Sequence, residues 1–264
     1  MPCCPGTACT FLIRRQIGEQ RALSVRRYPL EKSIRAVGQA REVSCELASE
    51  AVECIPWLRR RLLSWFERSG RSFPWRDPGR TPYEVVVAEI LLQRTTAAGV
   101  ARVYAGFLER YPSWAILAQA PPDGLETALR PLGLWRQKAL ALQCLAQSVE
   151  EHGGVIAGTR AELERLRGIG PYTASTVLAM VYGRAEPLLD VNMTRLLGRL
   201  LGSPGGEAGT RGSLQAFALR LLRGKRSREI NWAVLDFGAL VCRARQPRCP
   251  QCPLRTGCRS FMQL

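Results

Sequence analysis

Four groups of residues in this sequence have types and spacings that could do chemistry. Asp190 lies in PLLDVN, after apolar Leu188 and Leu189 and before a helical pattern in which Leu196, Leu197 and Leu200 recur. A carboxylate flanked in this way is partly desolvated, which makes it a candidate for chemistry. Glu89 sits inside the apolar run PYEVVVAEILLQRTT, where a carboxylate needs a helical partner, an exposed face or a function. Gly168-Ile169-Gly170, followed by Pro171, brings bare backbone to a helix start, where free N–H groups and the helix dipole favour a phosphate. Cys242, Cys249, Cys252 and Cys258 follow C-x6-C-x2-C-x5-C, so four thiolates can surround one metal centre. From spacing alone a structural Cys4 zinc site is the default, because this is neither of the common ferredoxin spacings.

Composition narrows the partners. The chain has 264 residues, long enough for one or two domains, and 38 Lys and Arg against 22 Asp and Glu give a net charge of +16. A polyanion is therefore the first partner to consider, and nucleic acid fits better than a membrane because no apolar run reaches about twenty residues. The charge is clustered: between Arg211 and Arg259 the acids are only Glu229 and Asp236. The single histidine, His152 in the loop-like EHGG, excludes a histidine-based triad or a histidine-rich metal site.

The elements that must position these groups read as helices. Thr159 and Glu162 have the spacing of a capping box, after which Leu163 and Leu166 face one way. The chain turns at Gly168 and Gly170, restarts at Pro171, and places Ala174, Val177, Leu178 and Val181 on one apolar face that ends near Gly183. Taken alone, this is either an ordinary helical hairpin or a clamp for backbone phosphate. Upstream, WLRRRLLSWFERSG puts Leu58, Leu62, Trp65 and Phe66 on one face, and RSFPWRDPGRTPYE is a Pro and Gly-rich loop. The long run from Pro82 to Pro112 reads as buried helix, and further amphipathic helices follow, broken at Pro121-Pro122 and Gly133. Residues 1–54 carry Cys3, Cys4, Cys9, Cys45 and Cys54 at no metal-ligand spacing. They read as a poorly ordered extension or, from their arginines, as an organelle-targeting peptide.

LRGIGPYTA followed by the aspartate of LDVN resembles the helix-hairpin-helix and catalytic aspartate of the endonuclease III and MutY superfamily of DNA glycosylases. FPWR, AEILLQRTT, GLWRQKA and the four-cysteine spacing are similar to further segments of that superfamily, so the resemblance spans roughly residues 55–261. It implies an all-α fold of two helical domains with a DNA cleft between them. A helical barrel with the helix-hairpin-helix occupies 80–186, and 55–79 with 187–264 form a second domain that holds the cysteine loop. It further implies that Asp190 is the anion beside C1′, Glu89 the acid or water-orienting group, and Asn192 a neighbouring hydrogen-bond donor. Gln93 corresponds to the residue that fills the hole left by the extruded base. Leu134 or Trp135 corresponds to the wedge, with core packing an equal alternative for Trp135. Gly168, Ile169 and Gly170 would clamp the DNA backbone together with Arg243, Arg245 and Arg248. The four cysteines would hold a [4Fe-4S] cluster, with structural zinc as the alternative.

Tyr172 stands where bifunctional members carry a lysine whose amine forms a Schiff base with C1′. A phenol cannot do this, so the expected activity is monofunctional release of a base, and DVN in place of DTH agrees. EILLQRTT and QKA are closer to the MIG thymine mismatch glycosylases, which act on T or U opposite G, whereas LLDVN and GPYTA fit MutY adenine glycosylases equally well. The sequence ends six residues after Cys258, without the C-terminal domain by which typical MutY proteins read 8-oxoguanine. The expectation is a monomeric mismatch glycosylase acting on double-stranded DNA, not on a membrane. Its place would be the cytoplasm or nucleoid of a prokaryote, or the nucleus or mitochondrion of a eukaryote. The alternatives are an adenine glycosylase and a non-catalytic DNA-binding or redox-sensing protein.

Overall fold

Threonine, serine and proline start most of the helices. In the computed structural model, which describes residues 54–202 and 208–262, α1 (Ile55–Ser69) has proline in its first turn and buries Leu58, Leu62 and Trp65 on one face. The expectations for residues 1–53 lie outside the described residues. Thr81 opens α2 (Pro82–Leu92) with a complete capping box: its hydroxyl accepts the Glu84 N–H, and the Glu84 carboxylate accepts the Thr81 N–H at 2.7 Å.

The run expected as one buried helix is two. α2 stops at Leu92, Arg94 takes a left-handed φ of 55°, and Thr96 caps α3 (Ala97–Arg110) by accepting the Gly99 N–H. Paired threonines favour a cap over a helix interior, and this break turns Gln93 out to solvent. Then come α4 (Trp114–Ala118), α5 (Pro122–Leu129), α6 (Trp135–Glu151), α7 (Arg160–Leu163), α8 (Pro171–Met180), α9 (Val191–Leu201), α10 (Ala208–Leu222), α11 (Ser227–Leu240) and α12 (Arg259–Met262). Short 3-10 turns lie at Pro74–Arg76, Cys249–Gln251 and Arg255–Gly257, and no strand occurs among the described residues. The fold is all-α, as expected.

Two apolar cores organise these helices. One gathers Trp75 and the inner faces of α2 to α8, with Tyr104, Phe107 and Leu145 fully enclosed. The other joins α1 to α9, α10 and α11, so both ends of the described chain meet in it. A smaller cluster of Ala179, Met180 and Leu188 lies where α8 leads into the segment before α9. The loop after α1 is pinned to α11 by Asp236. This fully buried carboxylate accepts from the Arg71 backbone N–H, the Arg71 guanidinium and the Arg76 guanidinium. α11 also passes close to the start of α9, since a Cβ on Gly238 would stand 2.7 Å from the Asn192 Cβ.

Candidate active site

The hairpin is built from one turn of helix, a turn, and α8. Thr159 caps α7 by accepting the Glu162 N–H, but the capping box is incomplete, because the Glu162 carboxylate takes the Thr159 hydroxyl and not its backbone N–H. Of the two glycines only Gly168 has a positive φ, 86°, and a Cβ there would lie 3.2 Å from the Ala141 carbonyl oxygen. Gly170 is extended, with nothing within 4 Å of a Cβ, and it is the N-cap of α8. The space beside the start of α8 is therefore open at this position. Ile169 is buried in the first core, so only its backbone can face a ligand. Arg160 binds Pro171 O, Ser175 Oγ, Glu164 and Glu186, fastening α7 to α8 and to the segment that leads to Asp190.

Asp190 is the N-cap of α9. One of its carboxylate oxygens accepts the Asn192 and Met193 N–H groups at 2.9 and 2.7 Å, and the other accepts the Asn192 side-chain amide at 2.8 Å. The approach to Asp190 is held by buried Asn231, which accepts the Leu188 N–H and donates to Glu186 O. Beyond it, the Arg195 guanidinium donates to Asn192 Oδ1, Gly238 O and the carbonyl of Cys242, so a chain of hydrogen bonds runs from Asp190 to the first cysteine of the loop.

Glu89, Tyr172 and Asp190 converge. Glu89 lines a cavity of about 100 Å³ with Trp75, Arg76, Met180, Arg228 and Trp232. Burial pushes the Glu89 carboxyl up to about 7, against the pull of the Arg76 guanidinium. Tyr172 is itself 46% exposed, but partial burial of its hydroxyl pushes it above its usual range, and the charges of Glu89 and Asp190 add to the shift. Asp190 and Asn192 are hydrogen-bonded and Tyr172 lies within electrostatic reach of both Asp190 and Glu89, although the cavity that Glu89 lines is not lined by the other three. At the adjoining surface Gln93 is exposed, and its amide donates to Thr173 Oγ1 at 3.4 Å. Leu134 is 40% exposed and left-handed, with φ 59°. Trp135 instead packs against the first core between the Arg130 and Arg136 guanidiniums, which fits the core-packing alternative.

Cys242, Cys249, Cys252 and Cys258 line one cavity of about 420 Å³ and form no disulfide. Among the described residues no three His, Cys, Asp or Glu side chains stand close enough to hold a single metal ion. Two buried donors near the loop, Arg243 Nε and the hydroxyl of Ser260, the latter lining this cavity, have no hydrogen-bond partner. Burial, then the charges of the three neighbouring sulfurs, push the Cys252 thiol up to about 11. Arg199 shapes the loop by donating to Cys242 Sγ, Arg243 O and Ala244 O. Arg243 itself is half-buried and donates to Gln246 O, whereas Arg245 is exposed as expected of a phosphate contact.

Sequence reasoning missed Arg195, Asn231, Arg76 with Asp236, and Lys138. The one signal present was Asp236, an isolated acid inside an apolar helix and a basic region.

An all-helical fold with a helical hairpin, the carboxylates of Glu89 and Asp190 within reach of Tyr172 and a four-cysteine loop resembles that of a DNA glycosylase, and the comparisons agree. Residues 87–215 match the HhH-GPD superfamily of base excision DNA repair proteins. The thymine-DNA glycosylase of Aeropyrum pernix is 40% identical over 210 residues, 77% of this chain and 94% of that protein. The adenine DNA glycosylase of Mycobacterium tuberculosis is 33% identical over 73% of this chain, which spans 64% of that protein. The solved structure of a thermostable thymine-DNA glycosylase superposes with a TM-score of 0.75 at 28% identity, over 80% of this chain and 98% of that one. The chain belongs to the HhH-GPD superfamily and is a base excision repair DNA glycosylase.

Proposed function

We propose that this glycosylase is monofunctional and releases thymine or uracil mispaired with guanine. The observation that carries the reading is Tyr172, a phenol within electrostatic reach of both Asp190 and Glu89, at the position where a strand-cleaving enzyme needs an amine. Similarity to a thymine/uracil-DNA glycosylase of Pyrobaculum aerophilum, 37% identical over 91% of that protein, supports the choice of base.

The substrate is a duplex carrying a mispair, whose weakened stacking makes extrusion of the base cheapest there. The α8 start at Gly168 and Gly170, with Arg245, grips phosphates. Leu134 serves as the wedge, and Gln93 fills the vacated space. Cleavage of the N-glycosidic bond passes through an oxocarbenium-like sugar, as in other glycoside cleavage. Asp190 provides the anion beside C1′ and is held in place by its cap hydrogen bonds. Glu89, protonated in part at neutral pH, delivers a proton to the departing base or orients the attacking water. Asn192 fixes the second carboxylate oxygen of Asp190. Cys242, Cys249, Cys252 and Cys258 hold a [4Fe-4S] cluster, which when bound supplies a structural or redox centre. Iron and labile sulfide should be found in amounts that zinc does not match.

The test is base release from duplexes carrying T:G, U:G, A:G and A:8-oxoguanine, each split into samples with and without alkali. Release from T:G or U:G seen only after alkali supports the proposal. Release from the adenine pairs instead would assign an adenine glycosylase, and cleavage without alkali would contradict the role of Tyr172.

A further inference from the structure

Lys138 is a charged side chain only 4% exposed, at a point where the fold could have used an apolar residue. Its ammonium donates to Ile90 O at 3.2 Å and to Gln93 O, the last carbonyls of α2. Its own backbone N–H donates to Leu134 O at 3.0 Å. That backbone bond is the ordinary first-turn bond of α6, so it is the Lys138 ammonium that fastens the end of α2, which carries Gln93, to the helix that Leu134 starts. Two carbonyl oxygens, and not a carboxylate, receive the charge, and burial pushes the ammonium down to about 8. Both loops so joined hold a non-glycine residue in the left-handed region, Arg94 at φ 55° and Leu134 at φ 59°. Such conformations are uncommon for L-residues and persist where the surroundings over-determine them.

We infer that Lys138 is a positioning residue that ties the two DNA-inserting loops into one rigid unit, so that Gln93 and Leu134 enter the helix in fixed register when the base is extruded. This rests on the proposed roles of Gln93 and Leu134. Independent loops would each find the duplex, but neither would hold the vacated space open while the other moved. The buried ammonium is suited to the task because charged donors bind carbonyls more strongly than neutral ones.

The experiment compares Lys138→Met, which keeps the stem and removes the donors, with the wild type in single-turnover base release. One substrate is the preferred mispair, and the other carries the same target base opposite a tetrahydrofuran abasic analogue, where no pair resists extrusion. The expected result is a loss of about tenfold or more on the mispair, as two charge-assisted hydrogen bonds imply, and much less on the unpaired target. The Lys138→Met, Leu134→Ala double variant should be no slower than the slower single variant, since the two act as one unit. Equal losses on both substrates, additive losses in the double variant, or no loss at all would overturn the inference. Lys138→Gln, which keeps a donor, carries the same comparison if the methionine variant is too unstable to assay. A wild type inert on every duplex would overturn the proposed substrate itself, whereas an active wild type matched by Lys138→Met overturns only the tie.

Discussion

At Glu89, burial brings the carboxyl to about 7 and so places its titration inside the working range of a general acid. As a proton donor Glu89 should make the release rate fall as pH rises through about 7, whereas a water-orienting carboxylate would make it rise, and in either role Glu89→Gln should lose about 10²–10⁴-fold together with the pH step. Stability should fall with rising pH in either case. The folded carboxyl lies above its ordinary 4.5, so the folded state keeps a proton that the unfolded chain releases, and stability falls as pH rises from 4.5 towards about 7. Thermal melts should show Glu89→Gln gaining on the wild type across that window, and a constant difference would deny the raised value. Asp190 was legible as an acid between an apolar segment and a helix, and Glu89 as one out of place among apolar neighbours. Their partners were not: Arg76 reaches Asp236 across 160 residues and Arg195 reaches Cys242 across 47, separations that no local pattern records.

The two glycines of the hairpin separate at the level of the element. Gly168→Ala forces an L-residue to φ 86° and a Cβ to 3.2 Å from Ala141 O, which should cost about 1–2 kcal/mol of stability. Gly170→Ala meets nothing and keeps its extended backbone, so stability should hold within about 0.5 kcal/mol while DNA affinity falls, because the Cβ occupies the approach to the α8 N–H groups. Melting and binding on both variants check the pair. Asp236→Asn removes a buried carboxylate from Arg71 and Arg76 and should cost about 3 kcal/mol. Burial raises that carboxyl, but the Arg76 and Arg71 hydrogen bonds and charges outweigh it and hold it below its ordinary 3.8. Its contribution is therefore full above 3.8 and lost as pH falls through the lower folded value, so acid unfolding of Asp236→Asn should be the flatter curve. The helix type of nearly every segment was readable from periodicity and caps. The break at Gln93 was not, because the apolar run continues through it and only the Thr95-Thr96 pair marks the new start.

Across the whole molecule, the charge of +16 and the basic C-terminal region imply salt-dependent DNA binding. Arg245→Ala should lower the slope of log affinity against log salt by about 1, whereas Arg243→Ala should change it less, because the loop carbonyl of Gln246 already receives that guanidinium. Equal slopes for both variants would remove the distinction. The separate helices were readable from periodicity and caps and the all-α whole from the family resemblance, whereas the four-cysteine motif lies in a loop with short 3-10 turns; the enclosure of α1 by α9 to α11 follows from apolar faces at both ends of the described chain. The central claim, that Asp190 is the anion of a base-excising site, is tested most directly by Asp190→Asn. Asparagine caps a helix about as well as aspartate, so α9 and the fold should survive and the charge alone is lost. On the preferred mispair duplex the variant should bind with nearly the wild-type Kd while single-turnover base release falls by at least about a hundredfold. Release at the wild-type rate from a folded, DNA-binding Asp190→Asn would contradict the account.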